Sequence, residues 1–181
     1  MITRPIVSRR RVGFAVAGVP LLAMLAACQA APAVVVMPPA MSGGLGAQLT
    51  STLPSAVPLQ TALALTYSAA VPSYASLYTV ASSGQVMRLF ENRAVRPGVA
   101  VQFPDRMEPV IRFGPPAGAE QFVLVVSTQP FRWLAPTDYA EQTPFARLNL
   151  DRIGFESRLS AALAALPPGT WQVQRLTITT Q

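Results

Sequence analysis

The chain has no histidine, no lysine and one cysteine in 181 residues. Without imidazole there is no Ser-His-Asp or Cys-His nucleophile and no zinc site of the usual kind. Without lysine, "SGGLGAQ" cannot be a phosphate cradle, and it also lacks the strand that should precede one. Acids number only eight, with no run dense enough for a calcium loop. No cofactor or metal is therefore expected. The charge that remains is one-sided: the formal balance of +6 comes from arginine alone. Four of the fourteen arginines (Arg4, Arg9, Arg10, Arg11) precede residue 28, where no acid occurs, and from Cys28 onward the balance falls to +2. The basic character belongs mainly to the leader, so a nucleic-acid partner is not expected.

That leader has three parts: a cationic start, the apolar stretch Val12 to Leu25, then small residues. This is the layout of an export signal. The apolar stretch falls short of the about 20 residues of an ordinary membrane span, and Gly13, Gly18 and Pro20 weaken its helix. A permanent N-terminal anchor is the competing reading. It ranks below a cleaved signal because the run stops at small residues rather than at a charged flank.

"LAAC", Leu25-Ala26-Ala27-Cys28, resembles a bacterial lipobox. The resemblance implies cleavage between Ala27 and Cys28 and acylation of the cysteine sulfur. Small residues before the cut suit a narrow peptidase cleft, and each buried methylene of an acyl chain adds about 0.8 kcal/mol of membrane affinity. Elsewhere in a chain, a lone thiol would read as a buried apolar filler. "SRRRVGF", residues 8–14, is similar to a twin-arginine export signal, so the Sec and twin-arginine routes both stay open. Gln29 follows the cysteine where an aspartate would retain the protein in the inner membrane, which implies the outer one. The expected location is the cell envelope, facing the periplasm and held to the membrane by lipid on Cys28. With that thiol acylated, no disulfide can form, and the fold must hold by its apolar core alone.

Residues 28–60 carry five prolines, several glycines and no charge, and are expected to form a tether. As a flexible coil it would span on the order of 30 Å, and as an extended polyproline form about 100 Å. "AVVVM", Ala33 to Met37, is apolar enough to pack as an extra strand. From Thr61 to residue 181 the pattern is that of a sheet-rich globular domain. "ALALTYS" alternates, with Leu63, Leu65 and Tyr67 on one face. "SYASLYTV" and "QVMRLF" flank "ASSG", hairpin punctuation in which Gly84 supplies the positive φ. "GVAVQFP", "EPVIRFG" and "QFVLVVST" follow. Phe122 to Val126 is apolar without alternation, so both faces of a central strand should be covered, by a second sheet or by a helix.

One helix is expected between Thr143 and Leu166, starting at Thr143-Pro144, open to a break at Gly154 and ending at "PPG". Phe155, Leu159, Ala162, Leu163 and Leu166 recur at helical spacing. In the closing strand "TWQVQRLTITT" the apolar parity shifts between Val173 and Leu176, which suggests a bulge near Gln174. The expected fold is mainly β, an antiparallel sandwich-like sheet with one helix in the C-terminal half. Its expected core is Leu63, Leu65, Val80, Val86, Phe90, Val101, Phe103, Ile111, Phe113, Phe122, Leu124, Val126, Leu159, Leu163 and Val173.

The segment Tyr74 to Phe131 resembles the bacterial domain of unknown function family 4384. The resemblance rests on "YASLYTVASSGQVMRLFEN", "VAVQFP" and "FGPPAGAEQFVLVVSTQP", which match an aromatic strand, a glycine turn, a "vxxLFPN"-like strand end, an "iP" end and a "GPxGxE…vxxT" hairpin. Glu91 stands where the family has proline, and Ser82 and Ser83 where it has aspartates. The resemblance implies a sheet-rich module with no assigned activity, and it transfers no site residue. Locally, Leu89-Phe90 should bury a strand end, and Asn92 suits a left-handed turn position.

Carboxylates are the remaining catalytic candidates. Asp105/Glu108, Asp138/Glu141 and Asp151/Glu156 are close in sequence, and a glycosidase needs two carboxyls about 5–9.5 Å apart across a cleft. Acids in loops are far more often solvated surface charges or helix-start residues, and that reading ranks first. Arg88, Arg93, Arg96, Arg106 and Arg112 are interleaved with acids, as on a solvated face. Trp133 and Tyr139, in "QPFRWLAPTDYAEQ", are the candidate binding surface, for a cell-wall glycan. No catalytic residue is assigned. The expected function is a non-enzymatic interaction or assembly module with an envelope protein partner. The alternatives are a carboxylate-dependent cell-wall hydrolase and a glycan-binding lipoprotein.

Overall fold

The structure, a computed structural model, describes residues 44–142 and 145–181. The leader, Ala27, Cys28, the apolar stretch Ala33 to Met37 and the Thr143-Pro144 pair lie outside the described residues. In chain order the elements are β1 (Gln48–Ser51), β2 (Ala56–Val57), β3 (Leu65–Ser68), β4 (Ser73–Val80), β5 (Val86–Val95), β6 (Val101–Phe103), β7 (Gly118–Ser127), a 3-10 turn (Pro136–Asp138), β8 (Tyr139–Glu141), β9 (Ala146–Leu148), α1 (Arg152–Ala164) and β10 (Trp171–Thr180). The fold is mainly β with one helix, and its sheets are dominated by antiparallel pairing. Among the described residues no helix is long and apolar enough to cross a membrane.

Two sheets are formed, a small one in the order β1-β3-β6 and a large one in the order β2-β10-β7-β4-β5-β9-β8. Central β7 is paired along its whole length with β10 on one side, and with β4 on the other. Its unbroken apolar run meets a layer on each face. Phe122, Leu124 and Val126 join Leu65, Tyr67 and Phe103 of the small sheet in one core cluster, while Val123 and Val125 join Phe155, Leu159 and Leu163 of α1 in another. Sheet and helix thus both cover it, one on each side. The sheet-to-sheet layer is held by a run of rings, Tyr67 against Phe90 at 5.2 Å and Phe90 against Phe103 at 5.1 Å between centroids.

The expected core is buried, except that Val101 and Ile111 are only partly covered where they pack against it. Both sit near sheet or loop margins, where one side of the residue meets solvent.

The folded region begins earlier than expected. Residues 44–60 were assigned to the tether, yet Leu45, Ala47 and Val57 are buried, β1 pairs with β3, and β2 runs parallel to the end of β10. Proline spacing disguised this: Pro54 and Pro58 sit in the connections around the two-residue β2 rather than within a long strand.

The expected helix also starts late. Its N-cap is Asp151, whose Oδ1 accepts from the Gly154 N–H at 2.7 Å, and Ala146–Leu148 ahead of it is a strand. Gly154 therefore lies in the first turn and breaks nothing.

The expected bulge near Gln174 is absent, because β10 keeps unbroken register with β7 from Trp171 to Thr180. Val173 faces the helix and Leu176 the small sheet, so the parity change reflects a strand covered on both faces. Bulges lie instead in β5, which carries an extra residue opposite β4 at two places, and in β8 opposite β9. One of them turns consecutive Leu89 and Phe90 into the same cluster. Asn92, expected at a turn, adopts φ 53° inside this strand, with its N–H donating to Ser76 Oγ at 3.0 Å. "EPVIRFG" forms an isolated bridge, Arg112 with Ala62, held by backbone bonds from Leu63 N–H to the Ile111 carbonyl and from Phe113 N–H to the Thr61 carbonyl, and Pro109 and Pro115 bound the short paired stretch.

Candidate binding cleft

The β4–β5 turn is built by its sequence. Gly84 takes φ 84° and donates to the Ala81 carbonyl at 2.8 Å, and Ala81 N–H closes the hairpin on the Gln85 carbonyl at 2.8 Å. Beside this turn, the bridge at Arg112 lays Ile111 to Pro115 alongside the start of β7. Between these parts opens a cleft of about 170 Å³. Its walls include Leu63, Met87, Leu89, Ile111 and Phe113, and its polar groups are Glu120, Arg112, Ser82, Ser83 and Gln85.

Glu120 is the only charged residue in the buried class among the described residues, at 7 % exposure. Its Oε1 accepts from the Ser82 N–H at 3.2 Å, and the Ser82 hydroxyl oxygen lies equally near but spends its one proton on a closer carbonyl. The same hydroxyl lies 2.5 Å from the Pro116 carbonyl, so Ser82 joins the hairpin turn to the proline turn. Arg112 lines the cleft too, but its guanidinium donates to the Gln60 carbonyl at 2.9 Å and forms no ion pair with Glu120.

The other acids are already engaged. Glu91 pairs with Arg88, Glu108 with Arg93, Glu141 with Arg147 and Glu156 with Arg175. Asp138 receives two bonds from Arg158, at 2.6 and 2.8 Å, which hold its carboxyl below the usual range. Asp105 accepts from the Met107 N–H within its own turn, and Asp151 caps α1. In the three sequence-adjacent pairs, each carboxylate thus has its own local task. Among the described residues, no three acidic or thiol side chains come together to hold a metal.

Trp133 and Tyr139 do not stand out as an open platform. Trp133 Nε1 donates to the Tyr78 hydroxyl at 3.0 Å, and its ring lies 5.8 Å from Tyr78 and 5.6 Å from Phe155. It fills the layer between α1 and the large sheet, half-buried. The Tyr139 hydroxyl accepts from Arg88 at 2.5 Å, and the Arg88 guanidinium carbon sits 4.5 Å from that ring's centroid. Both aromatics pack against the helix-side core cluster. Burial pushes the Tyr78 phenol far up and raises that of Tyr139 as well.

The spaced arginines divide. Arg88 and Arg93 are in ion pairs, Arg93 with its guanidinium carbon 4.3 Å above the Phe90 ring, while Arg112 reaches the cleft. Glu120 was not among the carboxylates singled out from sequence. The available signal was its place as the acid of the "GPxGxE" pattern.

No curated protein and no solved structure matches the chain. Residues 56–130 match the model of the family described as Domain of unknown function (DUF4384). Every residue that lines the cleft falls within that span. The chain therefore carries a domain resembling this family, over a span that includes the β4–β5 hairpin, β7 and the cleft.

Proposed function

We propose that the chain is a lipoprotein of the bacterial cell envelope, anchored through acylated Cys28 and facing the periplasm, whose sheet domain is a non-enzymatic interaction or assembly module. The anchor reading is supported by the leader and by Leu25-Ala26-Ala27-Cys28. The non-enzymatic reading is carried by one observation: seven of the eight acids are committed to an arginine, a turn or a helix cap, which leaves Glu120 as the one carboxylate in the cleft. A retaining or inverting hydrolase needs two convergent carboxyls. One carboxylate among apolar walls is suited to recognising a group rather than cleaving one.

The test begins with metabolic labelling by a fatty acid. The wild-type chain should take up label, and Cys28→Ala should take up none and accumulate unprocessed or soluble; continued labelling of Cys28→Ala overturns the anchor. Crosslinking in intact envelopes should then give a reproducible protein neighbour. Release of soluble saccharide from purified cell wall by the full chain would overturn the non-enzymatic reading.

A further inference from the structure

We infer that the cleft beside the β4–β5 turn receives one basic side chain, arginine or lysine, from an extended segment of a protein partner. This rests on the reading of the domain as an interaction module and gives that module its site. The charge argument comes first. Glu120 is nine-tenths buried and has no counter-cation, whereas five other acids of this chain have found arginines. Its Oε1 is engaged by Ser82, but its Oε2 accepts a hydrogen bond from no described residue. A cation brought from outside would complete the pair.

Shape and lining agree with that occupant. The cleft holds about 170 Å³, below the roughly 300–1,000 Å³ of pockets that enclose drug-sized ligands. Leu63, Met87, Leu89 and Phe113 offer apolar walls to a methylene stem, as long basic side chains require when only their heads are polar. Arg112, at the same cleft, spends one N–H group on Gln60 and has others for a backbone carbonyl of the incoming segment.

Register places this site at the opposite end of β4 from residues 44–47. Residues 44–47 lie by Ala70, Gln172 and Gly169, at the end of β4 marked by Ser73 and its partner Val95. The cleft lies at the Val80 end, seven residues and about 23 Å away.

The competing role for Glu120 is a purely structural clamp on Ser82. Glu120→Gln separates the two, because the amide oxygen still accepts from Ser82 while the charge is gone. The full chain, in detergent micelles, is titrated with acetyl-Ala-Arg-Ala-amide and with its neutral citrulline counterpart, and amide shifts are followed by NMR. The arginine peptide should give saturable shifts confined to Ser82, Gln85, Gly114 and Glu120. The citrulline peptide should bind at least about tenfold more weakly, as a lost charge-assisted bond demands. Glu120→Gln should lose arginine binding by a similar factor and keep its melting temperature. Equal binding of the two peptides, an absence of cleft shifts up to about 10 mM, or unchanged affinity in Glu120→Gln would each overturn the proposal. The comparison of peptides on the wild-type chain needs no variant to fold. If envelope crosslinking still yields a neighbour while the cleft ignores arginine, the site is wrong and the module reading stands; if the wild-type chain yields no neighbour, the module reading itself fails.

Discussion

Replacing Phe155 by alanine tests whether α1 closes the second face of the large sheet. Phe155 is fully buried, with its ring 5.4 Å from Tyr78 and 5.6 Å from Trp133, and it is the first of three buried residues on the helix. Truncating a buried phenylalanine costs about 3–5 kcal/mol, a range that already contains its ring contacts. The total stability of a domain is roughly 5–15 kcal/mol, so the variant should stay folded but lose a large part of its margin. For a chain of this size the melting temperature should fall by roughly 6–20 °C. Urea unfolding followed by tryptophan fluorescence is the suitable assay, because both tryptophans, Trp133 and Trp171, pack against this same cluster. Ile153→Ala, on the same helix but 72 % exposed, is the control and should change stability by less than about 0.5 kcal/mol. A loss below about 1 kcal/mol for Phe155→Ala would refute the packing of α1 on the sheet.

Two further predictions concern pH. Asp138 is held low by Arg158, so its charge contributes stability above the ordinary carboxylate value of about 4, and this is lost as pH falls through the lowered value. Asp138→Asn should flatten the acid limb of a plot of urea midpoint against pH. It should cost about 1 kcal/mol or less at neutrality, because the Arg158 side chain is 41 % exposed and water screens the pair; an unaltered acid limb would rule this out. At the other extreme, burial raises the phenols of Tyr78 and Tyr67, so the folded state favours their neutral forms. Stability should therefore decline as pH rises above about 10. Tyr78→Phe should shallow that decline while leaving Trp133 Nε1 without its acceptor, at about 1 kcal/mol near pH 7. Midpoints measured between pH 8 and 11 that decline as steeply as the wild type's would contradict it.

Much of the architecture was legible because alternation is a local signal. Leu63, Leu65 and Tyr67 share one face as their spacing requires, and Gly84 closes the hairpin that "ASSG" announced. The continuous run Phe122 to Val126 told of two covering layers, without telling which was which. The errors fell where an apolar period has two meanings. A three-residue offset between Val173 and Leu176 reads as a bulge if one face is solvated, and as ordinary alternation if both are buried. Short β1 and β2, set among prolines and small residues, carry too little pattern of their own. They are strands because β3 and β10 offer them partners.

The site was less legible still. Trp133 and Tyr139 were conspicuous as aromatics in a loop, but their rings turn toward Phe155 and Arg88. Glu120 was inconspicuous, one acid among eight, and its burial depends on a turn that Ser82 ties across 38 residues of sequence.

Sequence by itself determined what this chain has to work with: no imidazole, no lysine, one thiol behind an apolar leader, and strands whose side chains alternate with period two. Those properties are local, fixed by residue type and by the geometry of an extended backbone. Tertiary structure alone decided which acids met arginines and which was left with a serine. Apart from Arg88 and Glu91, three residues apart in one strand, packing between separate elements sets those distances rather than spacing along the chain.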